Sequence, residues 1–217
     1  MASWLTHLRI AEKIKQKVKD IDIGYLMIGS IAPNSGIPDE SGRNYEPSQE
    51  ITHFRYIKEG LTNYNIDEYY NKYMTPEKFI IRSDKTRSFL WGYYFHLIGD
   101  SVWLDEYMKP FIDRYEKMSM EQKPEFEVFL RQEADALDFE YLKASGTGII
   151  DELKNYDFNI HFFDEFDASY IYECKKRVVD FYTGEPIVLN RDYIFLSSDM
   201  IDSYVNKISE RCIKLLL

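Results

Sequence analysis

Four histidines occur in the 217 residues, and one of them, His96, stands four residues before Asp100 in the stretch SFLWGYYFHLIGDSVWL. On a helix, residues i and i+4 project from one face, so an imidazole and a carboxylate are presented side by side there, with Phe89, Gly92 and Trp103. Such a pair suits zinc or another borderline divalent cation. The spacing alone is not specific in a chain with 37 acidic residues, and His161 and Glu165 repeat it. The surroundings carry more weight. A carboxylate set among Phe, Trp, Leu and Ile is headed for the interior, where it requires a partner. His7 shares a face with Ala11, Ile14 and Val18, at spacings of four, three and four, and so points inward. Taken alone, that fits a hydrogen-bonded core residue better than it fits a ligand.

These side chains must be positioned by helices. Apolar residues recur with a period near 3.6 over about 5–19, 22–31, 65–74, 84–107, 111–118, 124–144, 147–156, 165–182 and 198–216, and alternating strand patterns are scarce. The expectation is a single all-α domain over 1–217, a multi-helix bundle. The stretch 185–197, EPIVLNRDYIFLS, is the exception, since its β-branched and aromatic residues suit a short extended segment. Gly92 and Gly99 weaken their helix by about 1 kcal/mol each relative to Ala, which predicts close approach of another backbone. Between Ala32 and Phe54 lies APNSGIPDESGRNYEPSQEITHF, with three Pro, two Gly and no helical pattern. A loop of that length in a compact domain is either functional or a surface excursion.

Composition excludes several classes. The aromatic content of 16% is far above that of a disordered chain. A net charge of −10 argues against a broad phosphate-binding face, hence against duplex nucleic acid as a partner. The N-terminal MASWLTHLRIAEKIKQ meets charge at Arg9 before any apolar run has developed, which predicts neither a secretory signal nor a transmembrane segment and a cytoplasmic location. Cys174 and Cys212 show no C-x-x-C spacing and read as core or near-surface thiols.

Taken in order, SWLTHLRIAEKI, IGSIAPNSG, ITHF and FHLIGD resemble the metal-binding segments of the bacterial zinc-dependent phospholipase C family, which shares its helical fold with the P1-type nucleases. The resemblance covers about the first 106 residues. It implies a phospholipase C / P1 nuclease type bundle whose zinc ions hydrolyse phosphoester bonds, with a phosphoester small molecule or a phospholipid head group as substrate. His7, His53, His96 and Asp100 would be the metal ligands, Asp100 bridging two ions, two being expected rather than three. Metal-bound water would be the attacking group, its pKa lowered by the ions.

The sequence departs from that pattern at three points. Where the family has Pro-Asp this chain has Pro33-Asn34, so that Asn34 would be a poor ligand and no base; Asp39 or Glu40 could stand in. Trp4 is internal, whereas the secreted enzymes use the free amine of a terminal Trp. The family's next histidine falls near Asp105-Glu106, so a third ion would need carboxylates, or His161 and Glu165 farther along. These departures leave a second reading open, a catalytically impaired metal-binding or regulatory protein that retains the fold.

Overall fold

A computed structural model of the chain describes residues 2–40, 44–59, 61–109, 111, 117, 119, 123–161 and 163–217. Its architecture is predominantly helical, as the periodicity predicts. Helix α1 (Trp4–Lys17) starts where the Ser3 side chain accepts from the Thr6 N–H, and α2 (Ile23–Ile31) starts at an equivalent Asp22 cap. Every α2 residue from Gly24 to Ile31 is buried, so this helix is apolar all round and runs through the interior. It continues into a 3-10 turn, Ala32–Ser35, which the Cys174 thiol and the Arg177 guanidinium hold by donating to the carbonyls of Ile31, Asn34 and Ser35.

The stretch expected to be irregular carries short regular pieces. Strands β1 (Ile37–Pro38) and β2 (Tyr45–Glu46) pair antiparallel, and the one-turn helix α3 (Gln49–Thr52) follows. A second antiparallel pair, β3 (Arg55–Lys58) and β4 (Leu61–Tyr64), sets Arg55 opposite Tyr64. Helical periodicity gives no warning of these pairs, because they are too short to develop an alternating pattern. Helices α4 (Ile66–Tyr73) and α5 (Pro76–Phe79) lead to the long α6 (Asp84–Val102), capped by Ser83. Beyond Val102 the chain widens into a π-helical turn, Trp103–Met108, in place of the α-helix expected to 107.

The remaining helices are α7 (Lys123–Ser145), α8 (Gly148–Asn155), α9 (Ala168–Thr183) and α10 (Ser198–Leu216). The expected helix at 111–118 lies outside the described residues apart from 111 and 117. The stretch 185–197 is neither helix nor strand. The N–H groups of Ile194, Phe195 and Leu196 donate to the carboxylate of Glu133, which leaves them nothing to give a neighbouring strand. No described helix is long and apolar enough to cross a membrane.

The centre of the fold is the seam between α2 and α6. A Cβ on Gly29 would lie 2.1 Å from the Phe89 carbonyl oxygen, and one on Gly92 would lie 2.2 Å from that of Leu26. The two backbones therefore meet with no room for a methyl, as Gly92 led one to expect. Gly99 differs: it makes room for the Tyr204 side chain rather than for a backbone. Helix α1 lies across α2, and α10 packs beside α1, where Arg9 reaches Asp202 and stacks over Tyr141.

Candidate metal centre

The seam fixes the first two groups. His96 and Asp100 sit one turn apart on α6 with His96 Nε2 3.4 Å from Asp100 Oδ2, and both are buried. His96 Nδ1 lies 2.7 Å from the Ser30 carbonyl on α2. A carbonyl only accepts, so Nδ1 carries a proton, which leaves Nε2 as the ring's ligand atom. From α1, His7 stacks on His96 with ring centroids 3.8 Å apart and brings its Nε2 to 3.4 Å from Asp100 Oδ1.

His53 arrives from the far end of the long connection. It closes α3, and Phe54 after it takes φ of 51°, a left-handed conformation that costs a bulky residue about 1 kcal/mol. That kink turns the chain directly from α3 into β3. The Phe54 ring packs edge-on against Tyr69 while the His53 ring stays inside. Tyr93 on α6 donates to the Thr52 carbonyl, and the Thr52 hydroxyl lies 2.9 Å from His53 Nδ1. Held this way, His53 Nε2 lies 3.7 Å from Asp100 Oδ2.

Three imidazoles from α1, α3 and α6 therefore converge on one carboxylate. Ligand atoms of His7, His96 and Asp100 lie within 4.8 Å of one another, with His53 just outside that mutual set. Atoms bound tetrahedrally at 2.0–2.1 Å to one zinc sit about 3.4 Å apart, close to the separations found here. The hydrogen bonding is incomplete in a telling way. Asp100 Oδ1 accepts from the Ala2 backbone N–H at 3.2 Å, but Asp100 Oδ2 and the Nε2 atoms of all three histidines are buried with no hydrogen-bond partner.

Electrostatics disfavour a charge on two of the three rings. Burial, then the neighbouring His96, lowers His7 to about 4 despite the opposing pull of Asp100, and burial likewise holds His53 well below the usual imidazole range. Burial alone would raise Asp100, but the adjoining imidazoles of His96 and His7 hold its carboxyl well below the usual range. An ionised carboxylate ringed by three imidazoles whose Nε2 atoms lack hydrogen-bond partners is a donor set that a cation would satisfy. The donor set, nitrogen with one carboxylate, fits zinc.

The other residues considered from sequence lie elsewhere or are held differently. Asn34 is half-buried at the end of the 3-10 turn, its carbonyl held by Cys174 and Arg177. Asp39 and Glu40 are exposed, and Asp39 pairs with Asn44. His161 is exposed, and Glu165 accepts from Lys72 and Tyr73. Asp105 and Glu106 are exposed, with Glu106 paired to Lys207. Trp4 packs edge-on against Phe181. Sequence reasoning missed Thr52 and Ser30, which orient two of the imidazoles, and Tyr204, whose charge coupling is to Asp100.

No protein-family model, curated protein or solved structure matches this chain.

Proposed function

We propose that the chain is a metal-dependent hydrolase of phosphoester bonds, phospholipase C-like, whose zinc is held by His7, His53, His96 and Asp100. The observation that carries the metal reading is the convergence of three buried imidazole Nε2 atoms without hydrogen-bond partners, each 3.4–3.7 Å from an oxygen of the buried Asp100 carboxylate. The hydrolytic reading rests on the resemblance of the four ordered segments to that family. When bound, the ion would polarise a phosphoryl oxygen and make a water more acidic.

The chain's own groups prepare for this. Ser30 fixes the His96 tautomer, and Thr52 orients His53. Asp100 shows Oδ1 to His7 and Oδ2 to His53 and His96, so it is the shared member whether one ion binds or two. Asn34 supplies no carboxylate, so proton transfer at this centre falls to Asp100 or to solvent.

One observation favours a second reading, a metal-binding or regulatory protein without turnover. The four residues are at most 2% exposed, and the cavity beside His7 and His96 measures about 10 Å³, room for roughly one water. A phosphoester would reach the ion only after part of the surrounding shell moves. Purified protein should contain one or two zinc ions per chain by elemental analysis and cleave a chromogenic phosphodiester or phosphomonoester in a chelator-sensitive manner. Bound zinc without turnover on either substrate would select the second reading; protein that neither retains nor takes up zinc would end both.

A further inference from the structure

Helix α10 reaches the same part of the interior from a direction none of the four donors uses. Its Tyr204 ring is fully buried and packs edge-on against Trp103 and Tyr107. The hydroxyl has no hydrogen-bond partner among the described residues. A buried phenol ordinarily finds one, so this oxygen is either frustrated or aimed at something not supplied by the protein.

Its position decides between these. A Cβ on Gly99 would lie 2.7 Å from the Tyr204 oxygen and 3.6 and 3.8 Å from Cε1 and Nδ1 of His7. The phenol oxygen and the His7 ring thus border one bare patch of α6, immediately before Asp100. Gly99 is what keeps that patch bare. A phenol keeps its proton at neutral pH, so beside a cation it is a hydrogen-bond donor whose natural acceptor is a small ligand on that cation.

We propose that Tyr204 donates a hydrogen bond to a small exogenous ligand, a water or a small anion, bound to the cation at His7, His96 and Asp100. The centre then has an exchangeable position on its α10 side. This rests on the metal reading and deepens it, since a position open to exchange is what separates a reactive metal centre from a closed structural one.

The test uses the full chain loaded with cobalt(II), whose visible bands report coordination, titrated with azide. Wild type should respond to azide. Tyr204→Phe should take up cobalt with unchanged affinity but bind azide about tenfold more weakly, the worth of one hydrogen bond to a charged group. Its cobalt-free melting temperature should not fall, because the hydroxyl removed has no hydrogen-bond partner among the described residues. Gly99→Ala, which keeps the phenol but displaces its oxygen, should weaken azide in the same direction. No azide response in wild type, or equal affinities in wild type and Tyr204→Phe, overturns the proposal while leaving the metal reading standing. Loss of cobalt affinity in Tyr204→Phe with azide affinity intact would make Tyr204 a prop for His7 and also overturn it. Failure of wild type to bind cobalt removes the metal reading itself, and this proposal with it.

Discussion

Among the described residues Asp100 and Glu133 are carboxylates with no exposed surface, and the fold treats them in opposite ways. Glu133 on α7 is answered by the protein: Arg191 donates to one oxygen, and the N–H groups of Ile194, Phe195 and Leu196 fill the remaining acceptor positions. Burial would raise its pKa, but those donors hold it below the usual range. Asp100 has one backbone N–H and otherwise imidazole nitrogens, and its Oδ2 has no hydrogen-bond partner. The same fold that surrounds one buried carboxylate with donors leaves the other among imidazoles. On the metal reading proposed above, the contrast separates a carboxylate whose counter-charge is built into the chain from one whose counter-charge comes from solution.

The largest effect that would break this comparison is metal removal. If a cation occupies the Asp100 site at a thousandfold excess over its Kd, it contributes about 4 kcal/mol, and a strong chelator should lower the wild-type melting temperature by roughly 10 °C. Asp100→Asn should melt at a temperature the chelator barely moves. A wild-type midpoint indifferent to chelator, in protein shown to hold no metal, makes the two carboxylates alike after all.

Glu133→Gln comes next. It removes the charge that three N–H groups and a partly exposed Arg191 point at, so denaturant unfolding should show a loss of about 2–3 kcal/mol. That loss should be identical with and without chelator, and a chelator-dependent loss would tie α7 to the metal centre. A smaller change is expected from Thr52→Val, which removes the hydroxyl orienting His53: zinc affinity, measured by competition with a coloured chelator, should fall about tenfold while the metal-free stability stays put. An equal fall for Thr52→Val and a surface control would deny Thr52 that role.

Asp138 supplies the smallest effect and an intermediate case. It accepts from Ser3 and Tyr182, yet burial pushes it up to about 7. The groups facing it are Asp135, itself raised by burial to about 6, and Arg9 from α1. An acid raised in the folded state binds more protons there than when unfolded between pH 4 and 7, so its contribution to stability falls as pH rises through that window. His7, lowered to about 4, acts with the opposite sign: stability grows as pH rises from 4 to 6.5. The two partly cancel in wild type. Asp138→Asn should therefore steepen the rise of stability between pH 5 and 7 and gain about 1 kcal/mol at pH 8, read by urea melts across pH. A pH profile unchanged by the substitution would show that Asp138 stays ionised.

How much of this was legible in the sequence depends on the range of the interaction. Helices α1, α2, α6, α7 and α10 announce themselves through local periodicity, and Gly92 marks its seam because a glycine inside a helix has few other uses. The His96–Asp100 pair is local too, one turn apart on one helix. His53 is not: its approach depends on the left-handed Phe54 and on Tyr93 reaching Thr52, neither of which has a signature in composition or period. The same holds for Glu133, which reads as one more surface acid of α7 until the stretch 194–196 folds over it. Tyr204 left only a faint sign, a phenol in the buried stripe of Ile201, Val205, Ile208 and Cys212, where an aliphatic side chain would raise no question of a partner.

The placement of α10 beside α1 carries a consequence for how such a protein is made. His7 leaves the ribosome before Tyr204, by on the order of ten seconds or more at about 5–20 residues per second. During that interval α1 lacks the helix it packs against, and Arg9 lacks Asp202. His7, His53, His96 and Asp100 can all be outside the ribosome while the wall that Tyr204 forms is still absent. Nascent chains thus pass through a stage at which the imidazoles are open to bulk solvent, and on the metal reading that stage, rather than the finished molecule, would offer an ion its easiest entry.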